Sequence, residues 1–443
     1  MNKNRLFLWA LTSALAGFLF GFDTVVISGA EKKIQSLWGL DSWTHGFATS
    51  AALWGTVLGA ILGAWPSDRF GRQKTLLWIG IFYLLSALGS AFAPEVNSFI
   101  IARFLGGVGV GVSTVAGPMY ISEIAPPDKR GRLTGLFQFN IVFGILVAYL
   151  SNWLIGESMG ANAWRWMLGV EAIPALIYTG MCLRIPESPR WLITRKGERS
   201  AAKATLAQVN PEADDATIEA LVTEIEQSAG KDTAAKGLPF ARLKLPILLA
   251  FLVAFFNQLS GINAILYFAP RIFELTGMGD QVALLQSIGI GITNLVFTFL
   301  GLYLIDRLGR KTLLLIGSVG YIVSLGLCSW AFHSETFGIV PVCIFGFIAA
   351  HAVGQGAVIW VLISEIFPNK FRAAGQSLGS ATHWVFAAAL TLVFPYVVAS
   401  IPPATIFGFF AFMMALQLVW VLTMVPETKG VPLEEIEKKL GVS

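Results

Sequence analysis

The heptapeptide DRFGRQK at residues 68–74 returns as DRLGRKT at residues 306–312. Two further stretches return in the same order. ISEIAPPDKRGR at 121–132 is answered by ISEIFPNKFRAA at 363–374, and PESPR at 186–190 by PETKG at 426–430. The offsets are 238, 242 and 240 residues, so the chain reads as one long-period duplication. In both copies the motifs sit at the ends of apolar runs, and those runs decide the fold class.

Of 443 residues, 55% are hydrophobic and only 13% are charged, with a mean hydropathy of +0.68. Soluble domains carry roughly 25% charged residues, which excludes an ordinary soluble enzyme. A disordered chain would lack this much apolar matter. The net charge of +4 is too small to imply nucleic acid as a partner. A helix crosses a bilayer with about 20 mostly apolar residues. Twelve runs qualify, at 7–30, 46–66, 75–93, 98–121, 133–155, 165–184, 246–271, 281–305, 312–332, 338–365, 372–397 and 404–425. None shows the residue-by-residue alternation of a membrane barrel strand. The expected architecture is an all-α membrane protein of twelve helices in two pseudo-symmetric halves, 1–185 and 246–430. A helical insert at 186–245 joins them and a tail covers 431–443. The insert is charge-dense, and its Ile218, Leu221, Val222 and Ile225 follow the spacing of one helical face. The N-terminal run from Leu6 is too long for the apolar core of a removable signal peptide.

Lys and Arg concentrate in cytoplasmic connections. Arg69, Arg72 and Lys74, then Lys129, Arg130 and Arg132, then Arg307, Arg310 and Lys311, then Lys370 and Arg372 all follow even-numbered spans. Both termini are therefore expected on the cytoplasmic side, in a multi-pass protein of the cell (inner) membrane. Cys182, Cys328 and Cys343 lie within apolar runs and read as small core residues. The GGVGVG run at 106–111 and the four-residue repeat Gly55, Gly59, Gly63 read as close helix packing. No phosphate-binding loop or Cys/His metal cluster is present, so neither ATP-driven transport nor a metal is implied.

A charge inside a bilayer is costly by a few kcal/mol and is a functional hypothesis by default. Asp23 stands in the first span, Arg103 in the fourth and Glu171 in the sixth. One base and two acids in one half can form a buried cluster. Amides in apolar spans are costly unless satisfied, and amides beside an aromatic face are the kind of lining that orients a small polar ligand. The fifth span has Gln138, the seventh Asn257, Gln258 and Asn263, and the eighth Asn294. The tenth has Gly356 and Trp360 one turn apart, so Trp360 can present its ring beside a glycine-made gap. The eleventh has His383 and Trp384. Gln258 and Asn263 can share one helical face.

In order along the chain stand Asp68-Arg69-x-Gly71-Arg72 and its copy Asp306-Arg307-x-Gly309-Arg310. To these add PMYISE (118–123), PESPR, QLSGIN (258–263), WVLISEIFP (360–368) and PETKG. With these motifs the chain resembles the sugar porters of the major facilitator superfamily. The resemblance runs from the first span to the tail. It implies a secondary transporter, not an enzyme, with no cofactor beyond the proton as coupling ion. Its partners would be a monosaccharide, protons and the lipid bilayer, and the working unit a monomer. Proton-coupled members carry an acid at the position of Asp23 near an arginine matching Arg103. Asp23 is thus expected to couple protons with Arg103 as partner, and Glu171 to tune the pair. The resemblance places sugar contacts at Gln138, Gln258, Asn263, Asn294 and Trp360. The chain departs from the family at Asn257, where Gln is usual, at Ala357, where Pro is frequent, and at His383, where Gln or Asn is common.

Asp68, Arg69, Arg72, Glu123, Arg130, Glu187 and Arg190 have second-half counterparts in Asp306, Arg307, Arg310, Glu365, Arg372 and Glu427. Acids contribute little to topology, so their repetition points to a cytoplasmic gate rather than to a sorting signal. Tyr267 and Phe268 read as an extracellular gate or as packing. The expected function is import of a pentose or hexose by proton symport. A facilitative carrier, with Asp23 only structural, is the first alternative. A membrane sugar sensor is the second, and it would be expected to carry a longer tail than one that stops at Ser443.

Overall fold

Among the described residues every regular element of the computed structural model is helical. The structure describes residues 3–126, 129–229, 239–240, 242–368 and 370–441; residues 230–238 and 241 of the insert and 442–443 of the tail lie outside them. Eleven stretches among the described residues are long and apolar enough to cross a membrane. They include the first span, Lys3–Val26, the second, Ser42–Leu62, the third, Arg72–Ala91, and the fourth, Val96–Ile124. The fifth is Arg130–Ser158, the eighth Asp280–Leu308, the ninth Arg310–His333, the eleventh Arg372–Ser400 and the twelfth Pro403–Thr423.

The sixth expected span is built in two pieces, Ala163–Gly169 and Ala172–Cys182. Pro174 explains the break. It has no N–H for the Val170 carbonyl, and its ring crowds that carbonyl. The Ile173 N–H donates to Val170 O instead, at 3.1 Å, and the helix restarts with Ala175 N–H to Glu171 O, also at 3.1 Å. Glu171 therefore stands at an interruption within the sixth span. The seventh span breaks after Lys244–Leu259 and resumes as Ile262–Tyr267 and then Ala269–Glu274. There Gly261 N–H donates to Gln258 O at 3.0 Å, and the Ser260 hydroxyl takes the Asn257 carbonyl at 2.6 Å. The tenth breaks at Gly354 between Val340–Val353 and Gln355–Ile366. A side chain there would run into the backbone of Gly317 in the ninth span.

The chain divides into two compact units. The first comprises Met1–Thr24, Trp54–Ala148 and Arg165–Thr233; the second comprises Val25–Leu53, Tyr149–Trp164 and Ala234–Ser443. Within the first, the third span packs on the fourth and on the sixth. The glycines of the second and fourth spans meet backbone to backbone. A Cβ on Gly55 would fall 2.1 Å from Phe104 O, one on Gly59 2.3 Å from Val108 O, and one on Gly111 2.3 Å from Thr56 O. The first and fifth spans approach as closely, at Gly21 against Ile141 and Gly144 against Phe18. Close approach of this kind gives van der Waals contact where lipid supplies no hydrophobic drive. Within the second unit, the ninth span packs on the tenth and twelfth, and the seventh on the eleventh.

The insert forms helices Arg199–Val209 and Asp215–Ala229. Ile218 and Val222 are buried against Leu206, with Leu221 and Ile225 flanking them, so the apolar stripe closes a small core of its own. Cys182, Cys328 and Cys343 are buried and free.

Candidate functional site

In the first unit the three membrane charges come together. Arg103 and Asp23 are each 1% exposed. Arg103 Nη1 donates to Asp23 Oδ1 at 2.5 Å and Nη2 to the Asp23 carbonyl at 3.0 Å. The guanidinium thus grips side chain and backbone of one residue, which fixes where the pair sits. Glu171, also 1% exposed, interacts with both Asp23 and Arg103. Its Oε1 has no hydrogen-bond partner among the described residues, and neither do Ser86 Oγ and Ser90 Oγ. Buried Tyr83 interacts with both acids. Gly106 lets Ser86 and Asp23 approach the fourth span, for a Cβ there would lie 2.3 Å from Ser86 Oγ and 3.8 Å from Asp23 Oδ1. Sequence reading missed Tyr83, Ser86 and Ser90. Their signal is present in the third span, where the three polar positions recur at helical spacing on one face.

A second constellation lies in the second unit. Asn263 Nδ2 donates to Gln258 Oε1 at 2.7 Å, and Gln258 Nε2 donates to Asn257 Oδ1 at 3.0 Å. The same Nε2 lies 3.2 and 3.3 Å from the two ring nitrogens of His383. Gln258 and Asn257 are buried, while His383 and Trp360 are half-buried. The His383 ring lies 5.2 Å from that of Trp360 and 4.7 Å, edge-on, from that of Trp384. Gln376 Nε2 holds the Trp360 carbonyl at 3.0 Å. Asn257, Gln258, Asn263, Trp360, His383 and Trp384 therefore form one polar-aromatic group. Asn294 stands apart from it in the contacts it makes, half-buried and accepting from Thr298 Oγ1 at 3.4 Å. The gap at Gly356 is lined by His351, whose carbonyl a Cβ would meet at 3.1 Å. The His351 ring would stand in ordinary contact with that Cβ, at 3.4 Å, and it meets the Tyr321 hydroxyl at 2.6 Å. Gln138 belongs to the first unit and is half-buried on the fifth span. Tyr267 and Phe268 are buried. Sequence reading also missed a buried chain in which Gln355 donates to Gln417 and Gln417 to Ser318, both at 2.8 Å.

The repeated motifs build the same network twice, each within its own unit. In the first, Arg72 Nε and Nη2 fork onto Glu123 at 2.8 Å each, and Nη1 takes Ser67 O and Asp68 Oδ1. Glu187 receives the backbone N–H groups of Arg72, Gln73 and Ser188. In the second, Arg310 forks onto Glu365 at 3.1 and 2.9 Å and takes Ile305 O and Asp306 Oδ1. Glu427 receives the N–H groups of Arg310, Lys311 and Thr428. The insert joins the first copy. Trp191 Nε1 donates to Asp68 O at 2.8 Å and Arg195 pairs with Asp68 at 3.1 Å. Arg69 and Arg307 are exposed and lie over the Trp65 and Tyr303 rings. Arg130 is exposed at the start of the fifth span, while Arg190 and Arg372 are half-buried.

Burial pushes the Glu187 carboxyl above the ordinary carboxylate range, against the N–H groups of Ser188, Arg72 and Gln73 and the Arg72 charge. Burial works in the same sense on Glu427, but four backbone N–H groups outweigh it and hold that carboxyl below the range.

Residues 9–440 match the family model described as "Sugar (and other) transporter". A D-xylose transporter of Levilactobacillus brevis is 37% identical over 96% of this chain and 94% of its own length. The D-xylose-proton symporter of Escherichia coli (strain K12) is 34% identical over 98% of this chain and 96% of its own. The inward-open structure of the xylose transporter XylE from E. coli superposes with a TM-score of 0.87 at 32% identity, covering 98% of this chain and 99% of that one. A twelve-span helical fold built from a duplicated motif set, with end-to-end likeness to these carriers, makes this chain a multi-pass membrane transporter that belongs to the sugar porter family of the major facilitator superfamily.

Proposed function

We propose that this protein imports a monosaccharide, a pentose or hexose, by proton symport through alternating access. The reading places both termini in the cytoplasm and the carrier in the cell membrane as a working monomer. The observation that carries it is the buried Asp23–Arg103 pair with Glu171 beside it. A passive carrier has no need of three desolvated ionisable groups, and intramembrane ones are a functional-site hypothesis by default, proton relays among their uses. In this reading a proton on Asp23 cancels its charge and weakens the grip of Arg103. Asp23 lies near the end of the first span, so the change in pairing alters how that span is held. Coupling follows if proton and sugar favour the same conformational change, since each then raises the affinity for the other.

The sugar would bind at Gln258, Asn263, Asn257, Trp360, His383 and Trp384, with Gln138, Asn294 and Gly356 as further candidates. Asn263, Gln258 and His383 satisfy one another without ligand, and sugar hydroxyls can exchange into those bonds. Trp360 offers a face for ring C–H groups. Two relatives named for D-xylose make it the first sugar to test. The twin networks of Arg72 and Arg310 are read as the cytoplasmic gate, with Asp68, Arg69, Glu123, Arg130, Glu187, Arg190, Asp306, Arg307, Glu365, Arg372 and Glu427.

Uptake of labelled pentoses and hexoses into proteoliposomes, with and without an inward proton gradient, tests this. Accumulation above equilibrium is expected only with the gradient. D23N is expected to abolish accumulation while keeping sugar exchange. Equilibration that ignores the gradient would make the protein a facilitative carrier and Asp23 a structural residue.

A further inference from the structure

At the ends of the spans opposite the repeated motifs, a charged cluster joins the two sequence repeats inside the second unit. Glu31 is 1% exposed, although it lies just beyond the first span. Both its oxygens are taken by Arg271, from Nε at 2.8 Å and from Nη2 at 2.7 Å. Nη2 also donates to Gln35 Oε1 at 2.7 Å. His45, fully buried at the start of the second span, places Nε2 2.6 Å from Glu31 Oε2. A carboxylate only accepts, so His45 donates there. Beside this group Lys32 pairs with Glu274 and lies 3.6 Å from Asp280.

The surrounding surfaces are closely seated. The turn Ile27–Gly29 packs on Ile262–Tyr267 and Ala269–Glu274. A Cβ on Gly46 would fall 1.9 Å from Leu392 O, and the Trp43 ring stacks on Tyr396 at 5.3 Å. Tyr149 donates to Leu266 O at 2.8 Å. Residues 26–45 and 149–152 of the first repeat are thus held to the end of the seventh span and to the eleventh. An ion pair so desolvated is costly to part, because separation without new partners strands a charge. Burial alone would push Glu31 up, but the His45 hydrogen bond and the Arg271 charge outweigh it and keep the carboxyl below the ordinary range.

We propose that Glu31 and Arg271 form a latch that holds the outward mouth of the carrier shut, with His45 and Gln35 positioning its two halves. The latch must part before sugar can enter from outside. It therefore sets how much of the population faces outward, while the sugar contacts themselves are untouched. The assignment of this mouth to the outside rests on the orientation proposed above.

The test reads accessibility directly. Ser28 is 3% exposed on the sealed turn, and its hydroxyl makes no hydrogen bond among the described residues, so S28C is a mild reporter. Labelling of S28C by a membrane-impermeant maleimide is measured from each face of right-side-out and inverted vesicles. E31Q and R271Q are expected to raise the outside rate at least about tenfold, because each leaves one charge of the pair without its ionic partner. The charge-exchanged pair E31R/R271E is expected to return it toward the S28C value. Where a single variant does not insert, E31Q/R271Q is read in its place, since it leaves no lone charge. Rates equal to S28C in the variants that insert would overturn the latch. Faster labelling that appears only from the inside would uphold the latch and overturn the proposed orientation. Faster outside labelling in a protein that takes up no sugar would uphold it and overturn the proposed monosaccharide import.

Discussion

Gly71 and Gly309 carry a requirement that no other residue type meets. Their φ values are +98° and +95°, with ψ at 164° and 166°. This is a region that side chains rarely enter. A Cβ on Gly71 would also lie 2.2 Å from Glu187 Oε2, and one on Gly309 2.4 Å from Glu427 Oε2. Each glycine lets a carboxylate reach the exposed N–H groups that begin the next helix, where negative charge is favoured. G71A and G309A are each expected to destabilise by about 1–3 kcal/mol from backbone strain alone. The loss of carboxylate contacts adds to that figure. Thermal melting of the detergent-solubilised protein checks it, with G131A, at a glycine that has open space, as the control.

At the scale of the element, the two copies of one motif respond to pH with opposite sign. Glu427 is depressed below its ordinary value of 4.5, so its stabilising contribution is present above that pH and is lost as pH falls through the lower folded value. Glu187 is raised above 4.5, so its contribution is fully present only below 4.5 and is lost as pH rises through the higher folded value. Replacing each with Gln removes the titration. The melting deficit of E427Q is expected to be largest near neutral pH, about 1.5–3 kcal/mol for hydrogen bonds to a charged group, and to shrink in acid. The deficit of E187Q is expected to grow on acidification. Parallel pH profiles for the two variants would contradict the assignment.

At the scale of the molecule, duplication has produced two networks with no common member. Arg72 and Arg310 each hold one acid by a two-pronged grip, and their partners all lie within their own units. Arg72 and Glu123 are the more buried pair, with side chains 9% and 10% exposed against 12% and 23% for Arg310 and Glu365. R72A should therefore destabilise more than R310A, toward the roughly 3–5 kcal/mol seen when one partner of a buried pair is removed. The double variant should equal the sum of the singles within about 0.5 kcal/mol, as sites without shared partners do. A larger departure in melting experiments would show that the networks act on one another.

Much of this was legible in the sequence because it is written in period and composition. Apolar runs of bilayer length dictate helices, since no other open structure satisfies its backbone in lipid. The repeat announced two halves, and the glycine stripes announced close packing. Asp23, Arg103 and Glu171 stood out because charge is rare in such runs, and Gln258 and Asn263 because amides are. Less legible was where spans break. Pro174 signals one break plainly, but the pieces of the seventh and tenth spans are set by where Ser260, Gly261 and Gly354 meet their neighbours. Glu31, His45 and Arg271 gave no local signal, because a charge near a span end reads as solvent-exposed until the fold buries it. By itself the sequence determined the membrane class, the number of spans, the duplication and the identity of the charges inside the spans, all of which depend on local chemistry. Only the tertiary structure decided which of those charges touch, that His383 reaches Gln258, and that Glu31 meets Arg271 across 240 residues of chain, because contact depends on distances in space that spacing along the chain does not carry.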